Sequence, residues 1–156
     1  MLIISTLFQV YTMTKKKRGF CLIINNEEFD ENHIHRTRTG SSVDAQNLHD
    51  LFSQLGFEVR MPLIFASSQN SSPCYQVIVH KNLTFVEVNE IIWKLAVTPL
   101  NCEMFIAAVL SHGSQGIFYT KDGRKFGIER FLEPFNNLNC RHLIGVPKFF
   151  LFQACR

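Results

Sequence analysis

Residues 104–111 read MFIAAVLS, an unbroken apolar run with no charged residue. The run is too short for most helices and has no helix cap, so it predicts a central strand covered on both faces, as in a parallel sheet. Upstream, GFCLIINN at 19–26 lies between a basic cluster and a polar stretch and predicts a second buried strand. Downstream, KFFLFQ at 148–153 predicts a third. Helical stripes separate them. Ser41 and Asp44 form a capping-box-like start, Leu48, Leu51, Phe52 and Leu55 follow at helical spacing, and Gly56 supplies the stop. Thr84 and Glu87 make a second capping box before Val88, Ile91, Ile92 and Leu95. Ile128, Phe131, Leu132 and Phe135 give a short third stripe, limited by Pro134. FEVR at 57–60 and GIFYT at 116–120 predict further strands, the latter followed by a hairpin-like KDGRK turn. Residues 27–40 read as an exposed loop. Residues 61–80 lack a sustained period and read as an inserted loop, although YQVIVH within them has strand character. The alternation defines an α/β protein, a mostly parallel sheet flanked by helices on both faces.

Composition narrows the function. A chain of 156 residues with 46% apolar content forms one domain with a real core. Sixteen basic against 13 acidic residues give a net charge of +3, and apart from Lys15, Lys16, Lys17 and Arg18 the basic residues are scattered, which argues against nucleic-acid binding. No apolar run approaches the length of about 20 residues that crosses a bilayer, so no membrane span is expected. The leading MLIISTLFQVYT has no preceding positive charge and no small-residue cleavage site, so residues 1–17 read as an N-terminal extension rather than a signal peptide. Five cysteines, an odd number without any C-x-x-C, fit a reducing, cytoplasmic setting, with Cys21 and Cys102 as small buried hydrophobes. The sequons at Asn70 and Asn82 matter only in a secreted protein. Fifteen Phe against one Trp and three Tyr point to a Phe-rich core.

Parallel sheets gather reactive groups beyond the carboxyl ends of their strands. His112 follows the strand at 104–111 and Cys155 follows the strand at 148–153. If those strands are neighbours, an imidazole comes close to a thiol, and a nearby His holds a cysteine as thiolate or takes its proton. The Gly113 backbone N–H, open to approach, and that of Cys155 could then donate to an oxyanion. A hydrogen-bonded histidine and an ordinary strand-end cysteine fit the same pattern, and spacing alone does not choose. His33, His35, His49, His80 and His142 read as surface or loop histidines. Cys140-x-His142 has no second ligand pair, so neither a metal nor any other cofactor is expected.

The tail QACR at 153–156 bears on that choice. With an upstream His, a Q-A-C-R tail resembles the signature of the caspases. Four segments in order resemble the family's large catalytic subunit: GFCLIINNEEFD its first core strand, RTRTGSSVDAQNL its pocket loop and first helix, VLSHG its catalytic-His segment, and CRHLIGVPKFFLFQACR the approach to its nucleophile. The resemblance covers residues 18–156 and implies a caspase-like three-layer fold and a cysteine endopeptidase cleaving after Asp in apoptotic proteolysis. It implies Cys155 as nucleophile, His112 as proton-transferring partner, Gly113 and Cys155 as oxyanion donors, and Arg38 with Gln153 around the substrate's acidic side chain. A guanidinium suits that last role because it grips a carboxylate with two prongs. Arg38 alone reads equally as a solvated loop arginine. A related peptidase cutting after Arg or Lys would need an acidic pocket, which the Arg38 loop does not offer.

The chain departs from the family pattern in two places. The family continues beyond the Arg with Gly and a small subunit that adds a second pocket arginine and the face on which a second heterodimer docks. This chain stops at Arg156. A large subunit that is inactive alone is therefore expected, or a non-catalytic caspase-binding decoy. A terminal carboxylate next to Cys155 would also oppose thiolate formation. The second departure is the segment 61–80, absent from the family pattern. No adaptor region precedes the domain, which points to an executioner-like or truncated product.

Overall fold

Gly19–Asn25 (β1) is buried over its whole length because it has a strand on either side and helices over both faces. The computed structural model describes residues 11, 13–15, 18–30, 37–57 and 77–154. After β1 come Ser41–Gln54 (α1), Val77–Lys81 (β2), Phe85–Val97 (α2) and Met104–Ser111 (β3). Gly113–Ser114 (β4), Ile117–Tyr119 (β5) and Lys125–Gly127 (β6) form a small antiparallel sheet. Ile128–Leu132 (α3), two 3-10 turns and Lys148–Ala154 (β7) complete the described chain. The main sheet runs β2-β1-β3-β7, every pair parallel. This is the expected α/β class with helices on both faces.

The order of the strands determines the faces. The chain leaves β1 through α1 to β2 on one side, then passes through α2 to β3 on the other side of β1. Helix α1 covers one face through Ala45 and Phe52, with Cys21, Ile23, Ile106 and Ala108 beneath. Helices α2 and α3 cover the opposite face through Val88, Ile92, Ala96 and Phe131. The phenylalanines concentrate on this second face. Phe105 lies 4.8 Å from Phe135 and stacks on Phe20 at 5.9 Å, while Phe131 meets Phe152 edge-on at 5.4 Å. Such pairs add about 0.5–1.5 kcal/mol each beyond their buried area. Gly19 opens the sheet because a β-carbon there would stand 1.9 Å from the Met104 carbonyl oxygen.

Helix ends follow local chemistry. Thr84 caps α2 in a full capping box with Glu87, as expected. Gly56, at φ 89°, closes α1 in a Schellman motif: its N–H donates to the Ser53 carbonyl and the Phe57 N–H to that of Phe52. The start of α1 corrects the expected capping box. Gly40, at φ 91°, is the N-cap, and no side chain caps the helix, because Ser41 turns inward to Asn25. The apolar stripe of α1 is also rotated from expectation. Ala45 and Phe52 are buried and Leu48 packs beside them, whereas Leu51 and Leu55 are 48% and 43% exposed. α3 ends where Pro134 enters a 3-10 turn.

Two expectations in the middle of the chain change. The last four residues of the segment read as an inserted loop, 77–80, belong to β2, paired with β1 from Cys21↔Val77 to Asn25↔Lys81. A loop reading therefore cannot extend beyond residue 76, and residues 58–76 lie outside the described residues. Of the strand expected at 57–60, Phe57 makes an isolated parallel bridge to Gly19. His80 is a strand residue, not a loop histidine, and His49 lies within α1. Of residues 1–17, Thr14 and Lys15 bond through their backbone N–H groups to the Glu103 carboxylate.

Candidate active site

In an open parallel sheet the crevice opens at the carboxyl ends where the chain direction switches. Here that place is between β1 and β3. The register aligns Asn25, Leu110 and Gln153 across β1, β3 and β7, and Ser111 with Ala154. His112 follows Ser111. Cys155 follows Ala154 in sequence but lies outside the described residues, as does Arg156.

Asn26 ties this end of the molecule together. It is fully buried, so each polar atom needs a protein partner. Its backbone N–H donates to the Leu110 carbonyl at 2.9 Å, its Nδ2 to the Tyr119 carbonyl at 3.1 Å, and its Oδ1 accepts the Leu83 N–H at 2.9 Å. Ser111 Oγ donates to the same Tyr119 carbonyl at 2.6 Å, and the Tyr119 N–H donates to the His112 carbonyl at 2.8 Å. The hairpin of β4 and β5 is thereby drawn over the ends of β1 and β3. His112 is half-buried, with the Phe29 ring at 5.2 Å. Gly113 sits where a β-carbon would meet the Ile117 carbonyl oxygen at 2.5 Å and the Ala154 β-carbon at 2.6 Å. The expected reason for a glycine was an accessible N–H. The structure supplies a second reason, close approach.

Arg38 arrives at the same end from the loop before α1. Its backbone N–H donates to the Glu27 carbonyl at 2.9 Å. Its Nη1 donates to the Asn26 carbonyl at 3.3 Å and to the Ser41 hydroxyl. The left-handed turn at Gly40 folds Arg38 back over the first turn of α1. Gln153 is at the end of β7 but turned toward α1, with its Nε2 donating to Asp44 at 3.2 Å. With Leu48, Leu51, Leu110 and Leu151, these two residues line a cleft of about 360 Å³ between α1 and β7. The structure therefore brings Arg38, His112 and Gly113 to the switch-point end of the sheet and sets Gln153 against α1. Sequence reasoning missed Asn25, Asn26 and Ser41. The signal was the NN pair closing an apolar run, where polar side chains end up buried.

Two other thiols, Cys21 and Cys140, are poorly suited to chemistry. Burial pushes Cys21 far up, and burial also raises Cys140 against the opposing Leu143 N–H and Lys148. Cys140 Sγ lies 3.5 Å from His142 Nε2. Burial and Lys148 both hold His142 below its ordinary value, so this pair is neutral rather than a thiolate and imidazolium. Among the described residues no three His, Cys, Asp or Glu side chains gather as for a metal ion.

An α/β sheet with a histidine and a loop arginine at its switch point is the arrangement expected of the caspases. Residues 18–156 match the family described as Caspase domain, and the chain belongs to the caspase family. It is 32% identical to Caspase-3 of Bos taurus over 152 residues, covering 97% of this chain and 48% of that protein. It is 33% identical to Caspase-7 of Gallus gallus, covering 99% and 44%, and 31% identical to Caspase-8 of Mus musculus, covering 95% and 29%. The solved structure of pro-sf-caspase-1 superposes with a TM-score of 0.76 at 32% identity, covering 94% of this chain and 49% of that one. The chain thus spans about half the length of these relatives, or less.

Proposed function

We propose that this chain is the large-subunit part of a cysteine endopeptidase that cleaves proteins after Asp in cytoplasmic apoptotic proteolysis. Cys155 attacks the scissile carbonyl and His112 protonates the departing amine. A thioester forms and water hydrolyses it. The N–H groups of Gly113 and Cys155 receive the oxyanion, and Arg38, with Gln153, binds the acidic side chain before the cut. A small subunit and a second heterodimer complete the enzyme. The observation that carries this reading is the parallel register Ser111↔Ala154, which makes the last residues of β3 and β7 neighbours; His112 follows the one and Cys155 the other in sequence. The cytoplasmic assignment rests on cysteine usage, with Cys21 and Cys140 as buried thiols.

A peptide ending in Asp and carrying a thiol-reactive group tests this, with the chain supplied with the carboxy-terminal half of a caspase relative. Labelling at Cys155 that is lost in His112→Ala supports the assignment. Stable binding of that half without labelling or cleavage favours a non-catalytic decoy instead. The decoy reading draws on β7, an edge strand among the described residues, whose Phe149 is 47% exposed.

A further inference from the structure

Arg38, Ser41 and Asn25 form a directed chain of hydrogen bonds. Arg38 Nη1 donates to the Ser41 hydroxyl, and Ser41 Oγ donates to Asn25 Oδ1 at 2.5 Å. The direction follows from chemistry. A guanidinium only donates, so the Ser41 oxygen accepts and its own proton must go elsewhere. Asn25 Oδ1 takes that proton. Ser41 is 3% exposed and Asn25 is fully buried, so water does not compete for the bond between them.

Asn25 carries a cost that locates its purpose. Its Nδ2 is buried and has no hydrogen-bond partner. A leucine of similar size would avoid that penalty on a face whose neighbours in β1 are Cys21 and Ile23. Packing therefore does not explain an amide at position 25, whereas its oxygen does. A hydroxyl with no fixed acceptor rotates and holds the Arg38 Nη1 less firmly than a fixed one, beside the bond of that nitrogen to the Asn26 carbonyl at 3.3 Å.

We propose that Ser41 and Asn25 are positioning residues that fix the Arg38 guanidinium at the carboxyl end of β1 before a substrate arrives. Preorganising the cation removes its ordering from the cost of binding an acidic side chain. The holding of Arg38 stands on its own geometry. Its consequence for substrate affinity rests on the pocket role given to Arg38 above.

Two measurements separate these parts. In the chain itself, phenylglyoxal modification is mapped by peptide mass spectrometry at Arg38 and at the exposed Arg141. Ser41→Ala and Asn25→Leu are expected to speed modification of Arg38 severalfold with Arg141 unchanged, and Ser41→Thr, which keeps the hydroxyl, to restore the wild-type rate. An unaltered Arg38 rate in Ser41→Ala overturns the proposal, and so does equal acceleration at both arginines, which marks a general structural role. In the assembled protein, thiol-reactive peptides ending in Asp or Ala are compared. Ser41→Ala is expected to raise the half-saturating concentration of the Asp peptide about tenfold, the loss of one charge-assisted hydrogen bond. The maximal labelling rate and the Ala peptide remain unaffected. Equal weakening of both peptides overturns the link to substrate. A wild-type protein that ignores the Asp peptide overturns the peptidase assignment and leaves the arginine-modification result to stand.

Discussion

Gly113 and Ala154 approach so closely that no further carbon atom fits between the two strand ends. A β-carbon at 113 would stand 2.6 Å from that of Ala154 and 2.5 Å from the Ile117 carbonyl oxygen. The second obstacle is backbone, so no rotamer change relieves it. Gly113→Ala is expected to cost about 1–3 kcal/mol, as overpacking does, and to lower Tm by roughly 3–10 °C. Calorimetry checks the stability. The amide shifts of His112 and Ala154 check the mechanism, because they should move together. An unchanged Tm would mean that the hairpin and β7 are not locked to each other.

Asn26 links the elements around the crevice, and its removal should loosen all of them. Asn26→Leu leaves the Leu83 N–H without its acceptor at 2.9 Å and takes a donor from the Tyr119 carbonyl. An unsatisfied buried group costs about 1–3 kcal/mol. Denaturant unfolding should show a loss of about that size with little change in the slope. Hydrogen exchange should quicken at Leu83 and Tyr119 before it does in the centre of β3. Uniform acceleration across the sheet would mean that Asn26 acts through global stability alone.

What the sequence made legible depended on how local the cause was. β1, β3 and β7 stand out because strands covered on both faces become continuous apolar runs. The cap of α2 could be read because its partners are three residues apart. β2 was obscured because its strand character comes from pairing with β1, 56 residues upstream, and not from its own polar surroundings. Ser41 reads as a cap until Asn25, sixteen residues upstream, claims its hydroxyl. Leu51 and Leu55 fit a helical stripe, but Ala45 lets the sheet approach on a different line and turns them outward. His112 and Arg38 were legible from strand-end position and family pattern. Asn25 was not, because an asparagine acquires meaning only when known to be buried.

Acidification should weaken the protein in two pH windows. Burial holds His80 below its ordinary 6.5, with Glu87 opposing, and burial with Lys148 does the same for His142. The unfolded chain therefore takes up protons at these sites near pH 6.5, while the folded chain does so only at lower pH. Stability is fully present above about 6.5 and falls as the pH drops below it. Glu87 sits below its ordinary 4.5 because the Thr84 N–H and hydroxyl both donate to it. Its contribution is present above 4.5 and is lost on further acidification. Denaturation midpoints between pH 7.5 and 3 should fall in both windows. His80→Gln should flatten the upper one. Thr84→Ala should cost about 1 kcal/mol at neutral pH and shrink the lower one. A His80→Gln profile superimposable on wild type between pH 7 and 5 would exclude His80 as a contributor.

The outer strand β7 leaves one consequence for the chain in solution. Among the described residues it is an edge of the sheet, paired with β3 on one side. Alternation sends Phe150, Phe152 and Ala154 into the Phe-rich core and Phe149 to the other face, where it is 47% exposed. An unpaired strand edge beside an exposed aromatic ring is a template for association. Sedimentation velocity should therefore show concentration-dependent self-association of the chain on its own. Phe149→Lys should suppress it, because a charge on an edge strand opposes pairing. Because the ring is half-exposed, Tm should fall by no more than a few degrees. Addition of the carboxy-terminal half of a caspase should suppress it too, if that half occupies the same edge. Self-association undiminished by Phe149→Lys would place the contact elsewhere, for which the exposed apolar side chains of Trp93 and Val97 on α2 are the next surface to alter.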